Sequence, residues 1–408
     1  MIAYTDALRL MLGQCSLLGM ESCVPGDALG RVLAASIQAA DALPLFDNAS
    51  MDGYALDSAG GTLRAGREFR VAGVIVAGGP IPAGMGGAAW EITTGACLPD
   101  GFDCVAAHEN TERLDDGRMR LTMDARPGQN VRRRGSDLMP GEPIAVPGRR
   151  VDPALGMALA ALGVERVAVR RKPRVAILGT GSELVADPSL PLGPGKIRAA
   201  NTPYLEASLR AFGADVVASL ILDDDPAIFA AELQRAAVQA DLVLSTGAVS
   251  MGRHDFVPAS LDRVGARLLF HKVGIRPGKP LLAAMLPGGP LMVGLPGNPL
   301  ATAAGFRFFV VPALRAMLGM VQEKPLRARL SASDDRRTGV RHFLKAHVDH
   351  DRDGMLQATL LDGQESFRIA PLLEANAWAV LLRETHESPE GAMIDVLPLD
   401  PGGKWDFG

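Results

Sequence analysis

The sequence predicts an α/β multidomain protein built around a mostly parallel sheet, and three features of its 408 residues carry that reading. First, strand-like and helical patterns alternate from Val175 to Leu295. Such a βαβ series gives parallel strands with helices on both faces. Second, short β-like runs split by Gly and Pro clusters occupy about Phe69 to Met123 and the stretch after Pro325, which predicts a β domain on each side. Third, a mass of 42.9 kDa exceeds what one core usually supports.

Taken in order, Thr5 to Leu18 has helical spacing, and Gly26 to Gly30 punctuates a small helical start. Pro44 to Ala55 is a polar loop holding Asp47 and Asp52, which local chemistry alone reads as an exposed turn. The first β region closes on Arg126 to Asp137, whose three consecutive arginines read as a solvated face. Asp152 can cap a helix that has Pro153 at its first position and Gly163 as its stop. The return to helix makes the β region an insertion.

Lys172-Pro-Arg then reads as a linker, followed by the buried strand from Val175 and the loop Gly179-Thr-Gly-Ser-Glu183. That loop lacks the third glycine and the immediate helix of a dinucleotide fingerprint, so NAD binding is rejected. Next come a helix near Pro203 to Phe212, a strand Asp215 to Leu222, a helix Pro226 to Ala240 and three strand-loop runs between Leu242 and Pro299. The C-terminal β region has turns at Asp353-Gly354 and Asp362-Gly363. His342, His347 and His350 differ in strand parity and lack partners at zinc spacing, so they read as surface residues.

With a net charge of -4 and a pI near 6.0, the composition argues against a nucleic-acid binder. Cys15, Cys23, Cys97 and Cys104 have neither zinc spacing nor disulfide density, which points to a reduced, cytoplasmic setting. Asp6 and Arg9 interrupt the apolar N-terminus and no basic leader precedes it, so a signal peptide is not expected. The uncharged stretch Pro280 to Phe306 is broken by prolines and glycines into buried pieces, and no membrane span is expected there.

The chemistry falls on the loops that end the strands. Gly247 to Asp255 is a strand-to-helix turn suited to an anion or a metal. Lys272, Arg276 and Lys279 sit on a loop constrained by glycine and proline, and three cations there suit an oxyanion. Glu183, the run Asp223 to Asp225 and Asp255 follow parallel strands and could converge to hold Mg²⁺ through oxygen. The alternative is helix capping, which Pro226 makes equally apt for at least one member of the run.

Six ordered motifs add a resemblance that covers nearly the whole chain. Asp47-Asn-Ala-Ser-Met-Asp-Gly-Tyr-Ala55, Arg132-Arg-Arg-Gly-Ser-Asp137, Gly179-Thr-Gly-Ser-Glu-Leu184, Thr246-Gly-Ala-Val-Ser-Met-Gly252, Arg276-Pro-Gly-Lys-Pro280 and Leu295-Pro-Gly-Asn-Pro299 resemble the MoeA family, which includes the E domain of gephyrin. The resemblance implies a helical N-terminal layer (1–43 with 140–170), an inserted β domain (44–139), a three-layer α/β molybdopterin-binding domain (171–320) and a C-terminal β-barrel-like domain (325–408).

It also implies a homodimer that inserts molybdate into adenylylated molybdopterin, with Mg²⁺-dependent release of AMP and with other cofactor-biosynthesis proteins as partners. Carried over by motif, Asp52 and Asp137 are functional acids, while Glu183 and Asp255 belong to the nucleotide and metal region. Asp224 is preferred within the acidic run, with Asp225 left open. Arg253, Lys272, Arg276 and Lys279 are the anion-binding cations, and Gly247, Ser250, Pro296, Asn298 and Pro299 shape the pocket.

The chain departs from the family pattern at Arg276, where lysine is common, and at Ala248, where glycine is usual. Arg253-His254 also precedes Asp255 where the family often has an acid. Two rival functions are a molybdopterin adenylyltransferase, which shares the α/β domain, and a non-catalytic scaffold of the gephyrin kind. Preference between molybdate and tungstate is not legible, because the anions share size and charge.

Overall fold

A computed structural model describes residues 1–81, 87–249, 256–334, 339–382, 388–400 and 405. Its central sheet has six strands, in the spatial order Asp215–Leu222, Arg174–Thr180, Leu242–Thr246, Leu291–Leu295, Leu282–Met285, Arg267–His271. The first four run parallel. Leu282–Met285 is antiparallel to both of its neighbours, so Arg267–His271 again points the way of the parallel set.

Strands covered on both faces need apolar residues at every position, and alternate residues here feed two cores. Val175, Ile177, Leu242, Leu244, Leu291 and Val293 join Leu205, Leu209 and Phe212 of the helix Asn201–Phe212 on one side. Ala176, Leu178, Val243 and Met292 join Phe229 and Leu233 of Pro226–Gln239 and Leu261 of Val257–Arg263 on the other. The expected three-layer, mostly parallel fold is present. Pro299–Met317, at a mean hydropathy of 1.3, is long and apolar enough to cross a membrane, but 83% of its window is buried inside the fold, as in a core helix.

The first helix is shorter than its apolar spacing suggests, ending at Leu12 with Gly13 as its C-cap. Tertiary bonding wins over periodicity here: Leu18 N–H donates to the Met317 carbonyl at the end of the core helix (2.8 Å). Ala7 and Met11 enter the core of the central sheet. A second helix, Pro153–Ala161, begins as its cap residues predict, with Asp152 Oδ1 accepting from Leu155 N–H at 2.7 Å.

The region between these helices holds a six-stranded sheet of short strands running from Cys104–Ala107 to Thr111–Arg113. A two-residue ribbon, Asn48–Ala49 against Val131–Arg132, ties the chain entering this region to the chain leaving it. Asp47 reinforces the ribbon, accepting from Arg134 N–H (2.7 Å) and from Arg133 Nη1 (2.6 Å). The bond from Arg134 N–H, helped by Arg133, holds the Asp47 carboxyl below its ordinary value. Arg133 is therefore engaged with the loop at Asp47 and not simply solvated.

At the C-terminus, five strands close into a barrel because Arg341–His350 pairs with both Leu356–Leu360 and Ala377–Leu381. Period-two alternation sends Leu344, Ala346 and Val348 into the barrel and Phe343 outward. Outside, Phe343 stacks on Phe308 of the core helix at 3.6 Å, and Trp378 meets the same ring edge-on at 5.8 Å. The barrel thus packs against the helix that follows Pro296-Gly-Asn-Pro299.

Candidate functional site

The carboxyl ends of the parallel strands bring several loops to one edge, as their common direction requires. They enclose a cavity of about 680 Å³ lined by Glu183, Asp224, Gly247, Pro296, Asn298 and Pro299, among others. Gly247 has φ +97°, and a Cβ there would stand 2.5 Å from the Thr180 carbonyl oxygen, so only glycine fits. Two helices start at this wall, at Asn201 and Pro299, and turn the positive ends of their dipoles toward it, although Leu300 N–H of the second is taken by the Ser366 carbonyl.

Asp224 and Asp225 of the acidic run are engaged differently. Asp225 caps its helix, accepting from Ala227 N–H and Ile228 N–H at 2.7 and 3.1 Å. Asp224 lines the cavity, and its Oδ2 accepts from Ser182 N–H at 3.2 Å. Glu183 and Asp224 therefore share one chamber as exposed oxygen donors.

A second cavity, of about 550 Å³, adjoins the first across Pro280, Pro296 and Asn298. Arg276 and Lys279 line it from the cationic loop, and Asp362, Glu365 and Ser366 line it from a loop of the barrel. Lys272 lines neither cavity; its backbone, at φ +67°, bonds instead to Leu281 and Ile2. His342 is a correction: it is only 4% exposed and lines the second cavity, because its strand is clamped between Ile275–Arg276 and Ala377–Leu381. Ser250, Arg253 and Asp255 lie outside the described residues.

Asp52 and Asp137 are exposed and line neither cavity within one chain. Thr94 N–H (2.6 Å) and then its hydroxyl (2.8 Å) bond Asp52 Oδ1 and hold that carboxyl below its ordinary value. Burial pushes the Cys15 thiol up to about 11 and the Cys104 thiol up to about 12, so neither offers a ready thiolate.

Three family models match the chain: the MoeA N-terminal region (domain I and II) over residues 2–163, a probable molybdopterin binding domain over 176–316, and the MoeA C-terminal region (domain IV) over 327–399. A molybdopterin molybdenumtransferase of Synechococcus elongatus is 35% identical across 98% of this chain and 100% of its own length. The chain belongs to the MoeA family. Another MoeA relative, the molybdopterin molybdenumtransferase of Bacillus subtilis, is 34% identical across 93% of this chain and 90% of its own. The crystal structure of the molybdopterin biosynthesis MoeA protein of Pyrococcus horikoshii superposes with a TM-score of 0.81 at 27% identity, covering 97% of this chain and 99% of that one.

Within this MoeA fold, motif reading missed the groups that hold the loops together. Asn201 Nδ2 donates to Thr246 Oγ1 (2.9 Å) and to the Gly297 carbonyl (2.7 Å). Thr302 Oγ1 donates to the Pro296 carbonyl at 2.6 Å. These bonds tie the glycine loop, the Pro-Gly-Asn-Pro loop and a helix start into one unit. Arg198 and Phe367 also line the first cavity without having been singled out. The signal available for Asn201 was its place two residues before the expected helix; nothing local marked Phe367.

Proposed function

We propose that this chain is a molybdopterin molybdenumtransferase, inserting molybdate into adenylylated molybdopterin with release of AMP during molybdenum cofactor biosynthesis. The observation that carries the reading is the meeting of an acid-bearing cavity and a cation-bearing cavity at Pro280, Pro296 and Asn298. A substrate that joins a nucleotide phosphate to a metal-accepting dithiolene needs two such neighbouring environments. Arg276 and Lys279 supply positive charge for molybdate oxygens, and arginine in place of lysine keeps that charge while adding a planar fork of donors. Lys272 and Arg253 complete the proposed set of cations.

The glycine loop that begins at Gly247 and carries Ser250, together with the helix start at Asn201, is the proposed seat of the phosphate oxygens. Pro296 and Pro299 keep the wall rigid, and Asn298 ties it to the barrel. Glu183 and Asp224, joined by Asp255, fit the Mg²⁺ habit of binding through a few carboxylates plus substrate phosphates. Held by these carboxylates, Mg²⁺ would supply positive charge against the phosphate oxygens. Asp52 and Asp137 act at the same site from the partner subunit of a homodimer. The proposed division of labour follows 1–43 with 140–170, 44–139, 171–320 and 325–408, in a cytoplasmic enzyme.

The test is incubation of purified protein with adenylylated molybdopterin, molybdate and Mg²⁺. AMP and metal-bearing cofactor are the expected products. ATP consumption with unadenylylated pterin would instead identify an adenylyltransferase, and no turnover with either substrate would leave the scaffold reading.

A further inference from the structure

We propose that Phe367 stacks on the pterin ring of the substrate, an inference that rests on the transferase reading above. Phe367 lines the first cavity, yet it is 65% exposed. Among the described residues it pairs with no other aromatic ring. A large apolar ring left open on a cavity wall is a surface for a flat partner.

The residues on either side of it, by contrast, are tied down. Leu300 N–H donates to the Ser366 carbonyl (3.0 Å), and Asn298 Nδ2 donates to Ser366 Oγ (2.8 Å). Lys345, a fully buried lysine on the barrel strand, donates through Nζ to the carbonyls of Gly363 (2.6 Å) and Arg368 (3.2 Å). Gln364 exchanges side-chain bonds with the Lys345 backbone at 3.0 and 2.8 Å. The segment is thus ordered before any ligand arrives, so stacking costs little conformational freedom.

The neighbouring residues point to pterin over adenine. Ser366 lines the chamber of Arg276 and Lys279, while Phe367 lines the chamber of Glu183 and Asp224, so the ring stands where the two meet. The dithiolene that receives the metal belongs to the fused pterin ring system, whereas adenine lies at the far side of the phosphates. With molybdate on the cationic loop, the ring beside the junction is the pterin.

The experiment compares the parent with Phe367→Ala, Phe367→Leu and Phe367→Tyr. Binding of adenylylated molybdopterin is read from pterin fluorescence, and turnover from AMP release. Loss of a stacking ring weakens binding by about tenfold. The Ala and Leu variants should show that loss in affinity and KM, with kcat and molybdate dependence close to parental, and Tyr should restore both. Unchanged affinity in Phe367→Ala, or full function in Phe367→Leu, overturns the proposal.

AMP serves as a separate competitor. If its affinity falls in parallel with the pterin's, the stack is on adenine and the assignment is wrong. The side chain is exposed, so truncation opens no core void, and thermal melts verify the fold. Ring-dependent pterin binding by a protein that releases no AMP would count against the transferase reading and leave the stack intact.

Discussion

Ala248 stands where the loop backbone is left-handed, at φ +50°, next to Gly247 at +97°. A methyl group in that region costs roughly 1–2 kcal/mol, partly offset in glycine by a freer unfolded chain. Ala248→Gly should therefore raise stability by about 0.5–1 kcal/mol in urea unfolding; a lower midpoint would mean that the packing of the Ala248 methyl outweighs the strain. Glycine loops were legible because such backbone leaves its mark in residue type. The same holds for Asp225, whose place before Pro226 announces a cap. Asn201 and His342 were not legible in this way. Each acts through a partner more than 40 residues distant or through burial between strands, and no local pattern encodes either.

The parallel strands were readable as elements, since Val, Ile and Leu at successive positions are what two-sided burial demands. Leu282–Met285 was not, because Leu-Ala-Ala-Met has no β-branched residue and sits between prolines. Its insertion moves the end of Arg267–His271 two places along the sheet from Leu291–Leu295. At the opposite end of the sheet, Asp241 locks the starts of two neighbouring strands. Its carboxylate accepts from Arg171 Nη1 and Nη2, both at 2.6 Å, and from Arg174 N–H at 2.8 Å. Burial pushes this carboxyl up, but the bonds from Arg171 and Arg174 prevail and leave it below its ordinary 3.8. A depressed carboxyl stabilises the fold above its unfolded value and loses that contribution as pH falls through its folded value. Asp241→Asn should thus cost about 2 kcal/mol at pH 7. The gap from the parent should narrow below about pH 4, and a gap that stays constant in urea melts down to pH 2 would remove the carboxylate from the account.

At the scale of the whole molecule, the layered core and a C-terminal β region follow from patterns in the chain, but the closure of that region into a barrel and the relation of Asp52 and Asp137 to the cavities do not. Both are exposed on or beside the inserted sheet, and neither borders the chamber of Glu183 and Asp224. In the proposed homodimer, two-fold symmetry would place the inserted region of each subunit over its partner's cavity and make two equivalent composite sites. Mixing mutants tests this directly. Asp52→Ala and Glu183→Ala homodimers should each be nearly inactive, since every site contains one lesion. In a mixed dimer, one composite site collects both lesions and the other collects none. A statistical mixture of subunits is about half mixed dimers, each with one intact site of two, so activity should recover to about a quarter of the parent's. If both acids served a site within one chain, every site in the mixed dimer would stay damaged. Subunit exchange verified by differential tagging, yet without recovered AMP release, would reject the shared site while leaving the two cavities and their chemistry as described.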